Sequence, residues 1–149
     1  MLRVRQRKSR REQRIEAQGK ALVGMVDAAM IIACADGELT DDEVGVVASV
    51  IDGFFDGNVN RREIEEMLGL SLEAIERDGN DARMDAVAAN LPSDELRALA
   101  LGAAAAVAMA DDTGDEGEEG ETYYDLADAL DISRDDADAI WDDIASQYA

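Results

Sequence analysis

The sequence lacks histidine altogether, has one cysteine and one proline, and contains only 4% aromatic residues. Without histidine no Ser-His or Cys-His pair can activate a nucleophile, and without histidine or paired cysteines a structural zinc site has no suitable ligands. No glycine-rich loop leads into a lysine, so a phosphate cradle of the P-loop kind is excluded. The lone Cys34 has no partner for a disulfide, which fits a reducing compartment and hence the cytoplasm. No uninterrupted apolar run approaches the length that crosses a bilayer, and no apolar segment ending in a cleavage site follows the basic N-terminus. What fills the chain instead is Ala, Val, Leu, Ile and Met, a mixture of helix formers and small packing residues that favours a helical bundle over a sheet protein. At 149 residues it has the size of one compact domain.

Basic residues are nearly absent from the body of the chain. Residues 1–20 hold Arg3, Arg5, Arg7, Lys8, Arg10, Arg11, Arg14 and Lys20 against Glu12 and Glu16, for a charge of +6. The remaining 129 residues carry six basic and 33 acidic groups, or −27. Such a body repels nucleic-acid phosphate and attracts cations, so nucleic acid is not expected as its partner. The basic arm or helix of residues 1–20 has the charge to contact anionic lipid at the inner face of a membrane or an acidic protein surface, and its own body is the nearest acidic surface. Leu2, Val4 and Ile15 give it only a weak apolar face.

The rest of the chain, residues 21–149, reads as a succession of capped helices. Leu22, Met25, Val26, Ala29, Ile32 and Ala33 recur at helical spacing up to the turn at Ala35-Asp36-Gly37. Thr40-Asp41-Asp42-Glu43 forms a capping box ahead of Val47, Val50, Ile51 and Phe54, with the helix ending near Asp56-Gly57. Asn60 repeats the cap ahead of Ile64, Met67 and Leu68, and Ser71 is expected to open a further short helix closed by Asp78-Gly79. Met84, Val87, Ala88 and Leu91 carry the helical period to Pro92; Ser93 caps an alanine-rich helix through Leu96, Leu99, Ala103 and Val107. Tyr123, Leu126, Ala127 and Leu130 mark another helix, and Ser133 caps the last, with Ala137, Ile140, Trp141 and Ile144 on its apolar face. The expectation is an all-α, compact bundle of about seven helices.

Setting Asp36 over Asp112 superimposes two halves, about 21–70 and 93–149, at an offset of 76 residues. Asp36 and Glu43 are seven apart, as are Asp112 and Glu119; Val47, Val50 and Phe54 fall over Tyr123, Leu126 and Leu130, and Met25 and Ile31 over Leu101 and Val107. Each half is a helix, an acidic loop and a second helix, which makes the halves pseudo-symmetric. Through Ala33-Cys34-Ala35-Asp36-Gly37-Glu38-Leu39-Thr40-Asp41-Asp42-Glu43, the matching Ala108-Met109-Ala110-Asp111-Asp112 to Glu119, and Leu126-Ala127-Asp128-Ala129-Leu130, the chain resembles the TerB family of tellurite-resistance proteins from about residue 20 to the end. The second loop departs from the family pattern, with Thr113 where a glycine is expected and Gly114 one position later.

The resemblance implies a non-enzymatic stress-response module that binds a divalent cation, calcium being the usual suggestion, at both acidic loops. It also implies partners among other tellurite-resistance proteins, including an integral membrane protein. Elementary coordination chemistry agrees in kind, because carboxylate oxygens are hard ligands suited to Ca²⁺, Mg²⁺ or Mn²⁺. The metal candidates are Asp36, Glu38 and Glu43 in the first loop and Asp112, Asp115 and Glu119 in the second. Against this stands the capping role of Glu43 and the general preference for acids in first helical turns. Asp52 to Glu63 also meets part of the EF-hand template, but Phe54 stands where the third position needs an oxygen, so a helix end followed by a capped helix is the better account. Two alternatives remain: an acidic protein-binding adaptor with no specific metal site, and a metal-dependent hydrolase, which needs carboxylates of both loops to converge in a pocket. Cys34, with apolar neighbours on its helix, reads as a packing residue.

Overall fold

The structure is a computed structural model describing residues 9–35, 39–54, 57, 59–110 and 116–147, with side chains at 11–18 and 116–120 outside the description. Among the described residues there are seven helices and no strand: α1 (Arg10–Ala33), α2 (Asp41–Phe54), α3 (Arg61–Asp78), α4 (Asn80–Asn90), α5 (Asp94–Ala110), α6 (Glu116–Ala129) and α7 (Arg134–Gln147). The all-α bundle expected from the sequence is the fold observed. No helix among the described residues is long and apolar enough to cross a membrane.

The starts of α2, α3, α5 and α7 are fixed by short-range hydrogen bonds. Thr40 Oγ1 accepts from the amide of Glu43 at 3.2 Å, Asn60 Oδ1 from that of Arg62 at 2.8 Å, Ser93 Oγ from that of Leu96 at 3.1 Å and Ser133 Oγ from that of Asp136 at 3.2 Å. Each satisfies an amide that the first turn leaves without an intrahelical partner. Acids then occupy the first turns of α2 (Asp41, Asp42, Glu43), α5 (Asp94, Glu95) and α7 (Asp135, Asp136), where the helix dipole favours negative charge. Ser71 does not open a new helix. Its backbone continues α3 without a break, because its hydroxyl finds a buried partner on another helix and so does not compete for the local backbone.

Two helices form the centre. From Met25 to Ala33 every residue of α1 is buried, and α5 is buried on all sides from Ala100 to Ala108. A helix apolar all round must be surrounded by others: α1 packs against α2, α3, α4, α5 and α6, and α5 against α1, α2, α6 and α7. The sequence spacing identifies one stripe of α1, and the structure adds Ala28, Met30 and Ile31 to it. Of the five apolar pairs matched at the offset of 76, Met25 and Leu101, Ile31 and Val107, Val47 and Tyr123, and Val50 and Leu126 are buried in both members, whereas Phe54 is half-buried and its match Leu130 is buried. Arg10, the first residue of α1, lies about 16 Å along the helix axis from the buried Ala21, at the usual rise per residue.

The outer elements are held by specific contacts. Arg97 of α5 donates to the carbonyls of Leu91 (2.7 Å), Ala88 (3.0 Å) and Leu130 (3.2 Å), placing one cation at the C-terminal ends of both α4 and α6. Asp131, which follows on from α6, takes φ 57° and lies 3.6 Å from the same guanidinium. The α6–α7 pair closes on aromatic groups: the buried Tyr123 meets Trp141 edge to face at 5.0 Å and donates to the carbonyl of Ala137 at 2.6 Å. Tyr124 bonds Asp138 and lies 4.1 Å beneath the Arg134 guanidinium. Burial pushes the Tyr123 phenol well above its ordinary range, and the bond to Asp138 raises that of Tyr124.

Two glycines of the central helices differ in what surrounds them. A Cβ on Gly24 would stand 2.8 Å from Cγ of Leu91, whereas one on Gly102 would meet nothing nearer than Ile144 at 3.6 Å. Gly24→Ala should therefore lower the unfolding free energy by about 1–3 kcal/mol by overpacking the α1–α4 contact. Gly102→Ala should raise it by about 0.5–1 kcal/mol through helix propensity; urea denaturation of both variants measures the contrast. Alkaline stability follows from Tyr123. As pH rises through about 10 the unfolded chain releases this phenolic proton and the folded chain keeps it, so stability falls with pH above that point. Denaturation midpoints of wild type and Tyr123→Phe across this range should show a weaker alkaline loss in the variant.

Candidate functional site

The two acidic loops leave the two central helices. The first joins α1 to α2 and the second joins α5 to α6. Of the six residues expected from the sequence to hold a cation, Asp36, Glu38, Asp112 and Asp115 lie outside the described residues. Glu119 is in α6, with its side chain outside the description. Glu43 is half-buried in the first turn of α2 and its amide is capped by Thr40. Among the described residues no three His, Cys, Asp or Glu side chains gather as a metal-binding group. Cys34 is half-buried against the core.

The helix ends carrying the loops border one open groove. Asp42, Gly45, Val46, Ser49 and Val50 of α2, Arg61 of α3 and Ala110, the last residue of α5, line this groove of about 540 Å³. The start of α2, where the first loop arrives, therefore faces the end of α5, where the second departs. The C-terminal end of a helix presents unpaired carbonyls and a partial negative charge, which adds to the acids of the α2 first turn in attracting cations. One cation already lies there. Arg61 donates to Gly45 O at 3.3 Å and Ser49 Oγ at 3.4 Å, and its Nε lies 3.7 Å from Glu65. The EF-hand stretch behaves as the sequence suggests, since Asp52 to Phe54 close α2 and Arg61 opens α3; Phe55, Asp56 and Asn58 lie outside the described residues.

A second polar cluster is not apparent from the sequence motifs. Asp27, in the middle of α1, is only 3% exposed. Ser71 Oγ of α3 donates to its Oδ1 at 2.6 Å, and Arg83 Nη2 of α4 to its Oδ2 at 2.7 Å. Arg83 also faces Asp78, whose carboxyl is held below the usual carboxylate range by its bond to Arg77, with burial opposing and Arg83 adding to the effect. Arg83 Nε is buried with no acceptor among the described residues. The cluster ties three helices together through one buried charge. Its sequence signal was a single acid inside the apolar run Met25-Val26-Asp27-Ala28-Ala29, a break in pattern that a buried ion pair explains.

Searches against family models, curated proteins and solved structures find no match to this chain.

Removing Asp27 leaves the Arg83 guanidinium in a largely buried position with only the more distant Asp78. Asp27→Ala should destabilise the fold by about 3 kcal/mol, and Ser71→Ala, which removes a donor to that buried carboxylate, by about 1.5–3 kcal/mol. Chemical denaturation of the single and double variants measures both values and, from their non-additivity, the coupling within the cluster.

Proposed function

We propose that this chain is a TerB-like stress-response and tellurite-resistance module, not an enzyme. It binds divalent cations, calcium first among them, through the carboxylates of its two acidic loops, and acts by contacting other proteins of such a system, including a membrane component. The observation that carries the reading is the groove in which the start of α2 faces the end of α5, since it joins the attachment points of two loops related in sequence. A body of charge −27 with no histidine supports it by offering hard oxygen donors and attracting cations over a long range. The C-terminal end of α5 adds negative potential, which the N-terminal end of α2 partly opposes.

Arg61 favours a second reading. A guanidinium fixed across that groove supplies positive charge where a cation would approach, as in an acidic adaptor that recruits basic partners and holds ions only diffusely. The two readings separate on calcium titration. The cation reading expects saturable heat with dissociation constants of about 10⁻⁵–10⁻³ M, reduced in Asp36→Ala and in Asp112→Ala. Absence of heat and of any amide chemical-shift change at millimolar calcium overturns it. The adaptor reading expects partner association that weakens with salt and is indifferent to chelator.

A further inference from the structure

Between α1 and α3 the surface opens into a cleft of about 130 Å³. Its walls are Val23, Met67 and Leu70, and its floor is the Asp27–Ser71–Arg83 cluster. Val23 is 39% and Leu70 66% exposed, the two largest apolar exposures at this face. An apolar cavity of about 150 Å³ holds a benzene-sized group, so this one admits a single aliphatic or aromatic side chain. Among the described residues, neither Val23 nor Leu70 belongs to the core or packs against it.

The charges around the cleft select what enters. On α3, Glu63, Glu66 and Glu73 lie seven and four residues before and three residues after Leu70, which places them on its face of the helix, and all three are exposed. Arg77 on the same stripe is occupied by Asp78 at 2.9 Å. Arg83 on the floor is balanced by Asp27 and Asp78. Across the cleft Lys20, one turn before Val23, is the single exposed cation of the α1 rim among the described residues. Arg62, exposed four residues before Glu66, offsets part of this charge, and the three glutamates leave the α3 rim acidic.

We propose that the α1–α3 cleft is a docking site for a basic amphipathic helix of a partner protein. One apolar side chain of that helix enters between Val23 and Leu70, and its Lys or Arg residues face Glu63, Glu66 and Glu73. Recognition of this kind buries the apolar anchor for affinity and uses the charged rim for partner choice. The cleft shares no lining residue with the groove between α2 and α5, and the proposal does not depend on cation binding.

The test uses the full chain with three synthetic helical peptides that share a leucine stripe and carry lysine, glutamine or glutamate on the polar face. The lysine peptide should shift the methyl resonances of Val23, Met67 and Leu70, bind more tightly than the glutamine peptide, and lose affinity as salt rises. The glutamate peptide should not bind. Leu70→Gln, an exposed position whose change leaves the core untouched, should weaken the lysine peptide about tenfold, and Glu66→Gln with Glu73→Gln should flatten the salt dependence. Methyl shifts elsewhere with none at the cleft, equal binding of all three peptides, or wild-type affinity in Leu70→Gln overturns the proposal.

Discussion

The structure depends on one constraint, the burial of two helices on every side. α1 and α5 pack on each other and between them touch every other helix, so the bundle is a shell of five helices around a central pair. Small residues make this possible. Ala28, Ala29 and Ala33 on α1 and Ala100, Ala103, Ala104, Ala105 and Ala106 on α5 are buried, and they allow close approach of backbones without leaving voids. Gly24 extends the same logic to α4, where Leu91 occupies the space a side chain would need.

A central pair of this kind has consequences for charge. The body carries −27, and carboxylates therefore crowd the outer faces and the first turns of helices, where dipoles and capping amides stabilise them. The few cations are spent as fasteners. Arg61 ties α3 to α2, Arg83 ties α4 to α1, and Arg97 ties α5 to the ends of α4 and α6. The acidic loops emerge from the same two central helices, and the ends that carry them line a shared groove. The TerB-like reading rests on that adjacency and on the repeated loop sequence together.

Much of this was legible in the sequence, residue by residue. The caps at Thr40, Asn60, Ser93 and Ser133 acted as expected because each needs only an oxygen and an amide two or three residues away. Phe54 disqualified the EF-hand by the same kind of local argument. Ser71 was misleading: a serine at that position resembles a cap until Asp27, 44 residues earlier, takes its proton donor. Of the candidate ligands only Glu43 can be placed with its side chain, so the loop chemistry still stands on the sequence pattern.

The sequence by itself determined the helical class, the starts of the four helices capped by Thr40, Asn60, Ser93 and Ser133, and the sign of the charge. These follow from interactions a few residues long, or from composition alone. Tertiary structure decided that α1 and α5 are the interior helices, that Asp27 is a buried anchor, and that Arg97 serves two helix ends. It also decided that Leu70 stands exposed beside a cleft. Those outcomes depend on surfaces contributed by helices distant in the chain, and a periodic pattern reveals a buried stripe without revealing how many neighbours surround it.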